Sequence, residues 1–162
     1  MKHKKQRTNF SCVYATLSMI LGGDEEFYYR AIAKKQIKQL KCGKRKYGSG
    51  TYAENTSEFL TKYSYEHKLI KLNDKINSIF WLKQLSYRFP IYVDGIFIRK
   101  GERGRPRKDC HAFAVCEGKI FDPAEDFELE FESCSHYSEM IVQNVIPVFR
   151  ENENYGKGIN IN

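Results

Sequence analysis

The sequence predicts a single α+β domain, in which helices occupy the first half of the chain and an antiparallel sheet occupies the second. Apolar residues at helical spacing dominate up to Phe89, whereas residues typical of strands, with a tight turn among them, dominate after Pro90. Because helices and strands do not alternate, a parallel βαβ fold is not expected. The chain has 162 residues and is 41% hydrophobic, enough for one core. We expect the domain to span residues 1–150, followed by a disordered polar tail over 151–162.

Four helices are predicted in the first half. The first runs from Ser11 to Leu21 and is followed by Gly22-Gly23, a pair typical of a helix C-terminus. Acidic residues at 24–26 suit the positive end of a second helix dipole, which extends to about residue 38. The pattern Thr51 to Glu54 is a capping box for the third helix. A fourth helix over 78–89 is stopped by the proline that follows.

The predicted strands cover 67–72, 91–98, 110–116, 119–122 and 141–149, and a basic loop is expected over 99–109. Glu117-Gly118 has the composition of a two-residue hairpin turn, and pairing about this turn puts Asp122 opposite Phe113. His111 lies two residues before Phe113 and therefore shares its face. The hairpin thus predicts that His111 and Asp122 can reach one another.

Charge and cysteine content restrict the classes of function. The formal net charge is +7, and much of it lies in three runs, at 2–7, 41–46 and 99–108. Such runs are typical of solvated loops or of a surface that meets an acidic partner. Five cysteines without a dense framework favour a reducing compartment. No apolar run is long enough for a membrane span and no signal peptide is expected, so we predict a cytoplasmic protein.

Four residues could together carry nucleophilic chemistry. Cys12 is predicted at the start of a helix, where the dipole and unpaired N–H groups favour the reactive thiolate. A nearby imidazole such as His111 can accept and return a proton, and a carboxylate such as Asp122 can hold its tautomer. Gln6 precedes the cysteine and could donate its amide N–H to a developing oxyanion, which is typically worth about 3 kcal/mol.

The segments that contain these residues resemble motifs of the papain-like cysteine peptidases. QRTNFSCVYATLSMILGG is similar to the catalytic opening of the bacteriocin-leader-processing (double-glycine) peptidases and their stand-alone relatives. CHAFAVCEGKIFDP resembles their strand that opens with histidine and continues through a hairpin to Asp-Pro, and SIFWLKQLSYRFPIYV resembles their helix that ends at a proline before a strand. The resemblance covers roughly residues 6–125 in the right order. One departure is Ser11-Cys12-Val13, where the family often has Asp-Cys-Gly.

The resemblance implies a papain-like fold, with the nucleophile at a helix N-terminus packed on the antiparallel sheet. It also implies a cysteine peptidase acting on peptide or protein amide bonds, with no metal or organic cofactor. In that reading Cys12 is the nucleophile, His111 the base, Asp122 the residue that orients it, and Gln6 the oxyanion donor. The same thioester intermediate would serve deamidation of a protein side chain or acyl transfer, and the sequence does not choose among these reactions.

The basic loop leaves a second class of function open. Arg103, Arg105 and Arg107 precede His111, and as a lid over the cleft they would favour an acidic peptide or protein substrate. Alternatively, they would contact phosphates in a non-catalytic module that binds nucleic acid or protein. A zinc site is a weaker alternative, because no CxxC pair occurs among its candidate ligands Cys110, His111, Cys116, Cys134 and His136.

Overall fold

The computed structural model describes residues 1–8, 11–41, 53–72, 79–100, 106–133, 137 and 140–149. Helices and an antiparallel sheet make up this part of the chain, so the predicted α+β class is confirmed. The helices are α1 (Cys12–Leu21), α2 (Glu25–Lys41), α3 (Ala53–Lys62) and α4 (Ile79–Ser86), with a 3-10 helix at Phe131–Ser133. The strands are β1 (Glu66–His67), β2 (Ile70–Lys71), β3 (Ile91–Lys100), β4 (Pro106–Cys116), β5 (Lys119–Phe121), β6 (Leu129–Glu130) and β7 (Ile141–Phe149). The predicted tail over 151–162 and the Thr51 cap lie outside the described residues.

The described strands pair in the order β1–β7–β3–β4–β5–β6, with β2 also paired to β7, and every pair is antiparallel. Strands β3 to β6 form a meander, and β7 returns to the other edge of β3. At the β4–β5 turn, Glu117 and Gly118 both have positive φ, 51° and 74°, as a type I′ turn requires. Ala114 pairs with Phe121, so the predicted hairpin register is confirmed.

The two faces of the sheet contribute to two clusters of buried side chains. On one face Tyr92 and Ala112 belong to the cluster that contains the apolar side chains of α1, α2 and α3. On the other face Val93 and Phe113 belong to the cluster that contains Leu82 of α4 and side chains between 131 and 145. Because neighbouring residues of a strand alternate between faces, even-numbered residues of β3 and β4 face the first cluster and odd-numbered residues face the second.

Helix α1 lies against the edge of β4. Strand β5 pairs with β4 only from Ala114 to Cys116, so the earlier part of this edge has no β5 partner. The Thr16 hydroxyl donates to the Ala112 carbonyl just beyond that pairing, at 3.2 Å. At the other end of α1, the Lys4 ammonium donates to the Ser18 hydroxyl at 2.6 Å and to the Gly23 carbonyl at 2.5 Å. A cation at this end is favourable because the last carbonyls of a helix carry partial negative charge.

The strand predicted over 67–72 is interrupted in the structure. Residues of β1 and β2 keep one register with β7, since Glu66 pairs with Phe149 and Ile70 with Val145. Continuation of that register puts Lys68 opposite Pro147, which has no N–H to donate to the ladder. Only the Lys68 N–H to Pro147 carbonyl bond forms there, at 3.4 Å. The proline on β7 therefore divides the predicted strand into two short ones.

The predicted loop over 99–109 is wrong at both ends. Strand β3 continues to Lys100 and β4 begins at Pro106, and the two remain paired as far as Lys100 with Pro106. The side chains suggested a solvated loop because they are charged, but backbone pairing does not depend on burial of the side chains. Residues 101–105 lie outside the described part of the chain.

Helix α4 ends one turn earlier than predicted, at Ser86 instead of Phe89. The Ser86 carbonyl accepts the Glu117 N–H at 2.9 Å, and the Ser86 hydroxyl accepts the Gly118 N–H at 2.9 Å. The β4–β5 turn thus supplies N–H donors to Ser86, whose carbonyl could not be bonded by residue 90 of a longer helix because that residue is proline. This contact fixes the hairpin relative to the helix.

Candidate active site

Cys12 is the first residue of α1, as predicted. The preceding Ser11 does not cap the helix, because its hydroxyl contacts the backbone N–H and carbonyl of Thr8, both at 3.1 Å. The first intrahelical bonds run from Tyr14 and Ala15 to the Ser11 carbonyl. The Cys12 N–H therefore belongs to the turn that has no acceptor within the helix. An N–H in this position beside a partly exposed thiol is suited to bind a developing negative charge.

The docking of α1 brings Cys12 to His111. Residues four apart share one face of a helix, so Cys12 lies one turn before Thr16 on the face that meets β4. Thr16 bonds to Ala112, and Cys12 correspondingly reaches the imidazole of the preceding residue, with which its side chain forms a hydrogen bond. The nucleophile and base predicted from the sequence are therefore in contact, although they lie on different elements.

His111 is held on its other side by Asp122. The imidazole Nε2 lies 2.7 Å from Oδ1 and 2.8 Å from Oδ2 of this carboxylate. Nε2 consequently carries the proton donated to Asp122, which leaves Nδ1 for the Cys12 sulfur. Tyr137 also donates its hydroxyl to Asp122, and the Ala124 N–H donates to Oδ1 at 2.7 Å.

Charge favours the ionised His111–Asp122 pair. Burial of the ring acts to lower the pKa of His111, but the hydrogen bonds and charges of Asp122 and Cys12 outweigh it and raise this pKa to about 9. Burial likewise acts to raise the pKa of Asp122, yet His111 and the Tyr137 hydroxyl hold it below its usual value. At neutral pH an imidazolium is therefore bound to a carboxylate, and both side chains are largely shielded, with 16% and 5% of their surface exposed.

Gln6 lies on the extended segment that precedes α1. Its backbone N–H donates to the Pro123 carbonyl at 2.8 Å, and His3 contacts the Asp122 carbonyl through Nε2 at 2.8 Å. This segment therefore runs beside the residue that bonds to His111. The Gln6 Oε1 atom is buried and has no hydrogen-bond partner among the described residues. A buried polar atom left in this state costs about 1–3 kcal/mol.

The predicted substrate-binding arginines have no described side chains. Arg103 and Arg105 lie outside the described residues, and of Arg107 only the backbone, paired with Arg99 in the sheet, is described. Their role in binding an acidic substrate or nucleic acid therefore stays a prediction.

Sequence reasoning missed Tyr137, which contacts the site, and Asp94, a shielded carboxylate on β3. Tyr137, which donates to Asp122, lies in a segment with no regular pattern, so no local signal pointed to it. Asp94 lies on β3 and pairs with Ala112 of β4. A charged residue in the otherwise apolar run Ile91 to Ile98 was a visible signal that the sequence analysis did not use.

Two further observations concern metals and membranes. Within the described ranges, no group of three or more His, Cys, Asp and Glu side chains is arranged to hold a metal ion, and the candidate ligands Cys134 and His136 lie outside those ranges. None of the helices in the described part of the chain is both long and apolar enough to cross a membrane.

Comparison with protein-family models found no match, and comparison with curated protein sequences found none either.

Proposed function

We propose that this chain is a papain-like cysteine hydrolase that cleaves amide bonds of peptides or proteins. The observation that carries the proposal is the chain of contacts from the Cys12 thiol through the His111 ring to the Asp122 carboxylate. A thiol at a helix N-terminus, a base within hydrogen-bond reach and a carboxylate that orients the base are the arrangement required for nucleophilic catalysis.

In the proposed mechanism the Cys12 sulfur attacks the carbonyl carbon of the substrate. His111 then transfers the proton on Nδ1 to the departing amine as the C–N bond breaks, which leaves a thioester on Cys12. Water attacks the thioester and gives a proton back to Nδ1, and cleavage of the C–S bond releases the carboxylic acid. Asp122 accepts the Nε2–H hydrogen bond throughout, stays ionised and holds the ring in place.

The oxyanion is assigned to two donors in this proposal. One is the Cys12 N–H, which has no acceptor within α1. The other is the Gln6 amide, whose buried group has an unsatisfied oxygen. Oxygen and nitrogen of this amide exchange places when the group rotates, so its NH2 can be presented to a bound substrate. Removal of one such donor typically costs 10²–10³-fold in kcat, on the order of 3–4 kcal/mol.

The first experiment measures alkylation of each cysteine by iodoacetamide between pH 5 and 9, with peptide-level mass spectrometry. We expect Cys12 to react at least about tenfold faster than Cys110 near pH 6, because an adjacent imidazolium favours the reactive thiolate. His111→Ala should remove this advantage. The matched control is His67→Ala, which removes another partly buried histidine, one that hydrogen-bonds to Ser57 on α3. Equal reactivity of Cys12 and Cys110 in the wild type would contradict the proposal.

A second experiment separates hydrolysis from the two other reactions of a thioester. A peptide p-nitrophenyl ester would acylate Cys12 and release p-nitrophenol, and the acyl product is then identified with and without an added primary amine. A free acid as the main product in both cases supports the hydrolase. An amide product at low amine concentration would instead assign the chain to acyl transfer, for which the same residues suffice.

A further inference from the structure

A second carboxylate that is largely shielded from water lies on β3, on the face of the sheet that α1 covers. Asp94 pairs with Ala112 on β4 and with Asn144 on β7, and Asn144 pairs in turn with Lys71 on β2. These four residues form one row across the sheet, and directly paired residues point to the same face. Asp94 is partly exposed, whereas Ala112 is fully buried.

Ala112, at one end of this row, contacts helix α1, which carries Cys12. Ala112 accepts the Thr16 hydrogen bond, and Cys12 lies one helical turn from Thr16 on the same face of α1. Cys110 lies two residues before Ala112 on β4 and therefore on the same face of the sheet. Both Asp94 and Cys12 affect the pKa of Cys110. Burial raises the pKa of Cys110, and the charges of Asp94 and Cys12 raise it further. Asp94 and Cys12 therefore both lie near Cys110.

Among the described residues, the hydrogen-bond partners of Asp94 are neutral. It accepts a hydrogen bond from the Asn144 amide at 2.7 Å and one from the Tyr92 hydroxyl at 3.4 Å. No lysine, arginine or histidine of the described residues forms an ion pair with it. Lys71, the cation in the same row, is bound to Glu54 at 2.5 Å instead. Burial raises the pKa of Asp94 to about 6, so at neutral pH the group is mostly charged, and no counterion lies beside it in the part of the chain that the structure describes.

A shielded carboxylate without a cation is costly to fold and is seldom retained without a use. Its backbone position is also specified by the sheet. The register with β7 shifts between Asp94 and Gly95, and a Cβ on Gly95 would come within 2.4 Å of the Ile141 carbonyl. Glycine at this position permits the close approach of β7, and the resulting bulge determines where Asp94 projects.

We propose that Asp94 is a specificity-determining residue that binds the cationic side chain of a lysine or arginine close to the scissile bond of the substrate. This inference rests on the proposed hydrolase function. Asn144 and Tyr92 hold the carboxylate in place, and its free lone pairs accept the ammonium or guanidinium hydrogen atoms. Asp94 would select the substrate residue beside the bond that is cleaved. Arg103, Arg105 and Arg107 would contact parts of the substrate farther from that bond.

The first test reads the charge around Cys12 without requiring turnover. Cationic and anionic methanethiosulfonates of similar size, 2-(trimethylammonio)ethyl and 2-sulfonatoethyl, modify Cys12, and the ratio of their rates is measured by mass spectrometry. Because both reagents react with the same Cys12 thiolate, the ratio of their rates does not depend on the fraction of Cys12 that is ionised. We expect Asp94→Asn to lower the cationic-to-anionic ratio about tenfold. Asp126→Asn is the matched control, because it removes a carboxylate in the same way but that side chain is 73% exposed in an ion pair with Lys5; this variant should change the ratio less than about twofold.

The second test uses a peptide library in which one position at a time near the scissile bond is varied. The wild type should prefer lysine or arginine at one position, and Asp94→Asn should lose that preference while still cleaving neutral peptides. Asn144→Lys places a cation beside Asp94 and should abolish the preference in a chain that keeps the carboxylate, so a folding defect of Asp94→Asn cannot decide the result.

The outcomes separate the two proposals. A charge ratio that depends on Asp94, together with no turnover of any peptide or ester, would overturn the hydrolase and leave a cation-binding site. Turnover without a lysine or arginine preference, or an Asp94→Asn ratio equal to that of Asp126→Asn, would overturn the specificity site and leave the hydrolase.

Discussion

Two aspartates, Asp122 just after β5 and Asp94 on β3, are both shielded from water but differ in the direction of their pKa shifts. Asp122 is bound by the His111 imidazolium, a tyrosine hydroxyl and a backbone N–H, and its pKa is lowered. Asp94 is bound by an amide and a phenol, and burial raises its pKa to about 6. The comparison shows that a cationic partner, rather than burial alone, decides whether a shielded carboxylate is stabilised in its charged form. Four predictions test this difference.

The largest effect is expected from Asp122→Asn on catalysis. The amide cannot stabilise an imidazolium and favours the wrong tautomer, so turnover of a peptide p-nitroanilide should fall on the order of 10³-fold. Asp126→Asn is the matched control, because Asp126 lies four residues later and its side chain is 73% exposed in an ion pair with Lys5. Equal activity of Asp122→Asn and the wild type would remove Asp122 from the proposed triad.

The His111–Asp122 pair also predicts how stability depends on pH. The pKa of His111 is raised from 6.5 to about 9 in the folded state. Its contribution to the free energy of unfolding is therefore fully present below about pH 6.5 and is lost as the pH rises through about 9. The shift corresponds to about 3 kcal/mol at most. Urea unfolding at several pH values should show this decline in the wild type and a flatter profile in His111→Gln; parallel profiles would contradict the pairing.

Asp94→Asn should raise the free energy of unfolding at pH 7, whereas loss of a carboxylate whose pKa is lowered in the folded state, as in Asp122→Asn, should reduce it. A carboxyl whose folded pKa is raised stabilises the fold below its unfolded pKa, near 3.9, and this contribution is lost as the pH rises through about 6. At pH 7 the asparagine avoids the buried charge, so we expect a gain of roughly 1–2 kcal/mol. Urea midpoints at pH 7 and pH 4 measure this gain, which should shrink at the lower pH. A large loss at pH 7 would indicate that Asp94 mainly supports the fold.

The smallest effect is expected from Tyr137→Phe. This change removes one of the donors to Asp122 but leaves His111 and the Ala124 N–H, so the protein should lose about 1–2 kcal/mol of stability. Tyr87→Phe is a suitable control, because Tyr87 is 56% exposed. If the two variants unfold at the same urea concentration, the tyrosine hydroxyl does not contribute to the charged state of Asp122.

Elements whose signals are local were predicted well from the sequence. The start of α1 at Cys12, the register of the β4–β5 hairpin and the bounds of β7 are confirmed. Each depends on residues within a few positions, such as the positive φ that Glu117-Gly118 can adopt. The proximity of His111 and Asp122 followed from this turn, because a hairpin register is fixed by its own loop.

Features that depend on distant parts of the chain were missed. Pro147 interrupts the pairing of the 67–72 segment although it lies more than 70 residues away, and pairing with β4 extends β3 into charged residues. Similarly, Ser86 ends α4 where the hairpin turn contacts it. In each case the partner that decides the backbone hydrogen bonds is remote in sequence, so hydrophobic period alone could not identify it.

By itself the sequence determined the class of fold and the residues able to do the chemistry, because helix periodicity, turn composition and residue type are local properties. Only the tertiary structure decided which of them meet. The contact of Thr16 with Ala112 brings the Cys12 thiol to His111. The Tyr137 hydroxyl donates a further hydrogen bond to Asp122. The structure alone also showed that Asp94 has no cation beside it, because burial and the absence of an ion partner in the described chain are properties of packed side chains and not of any single segment.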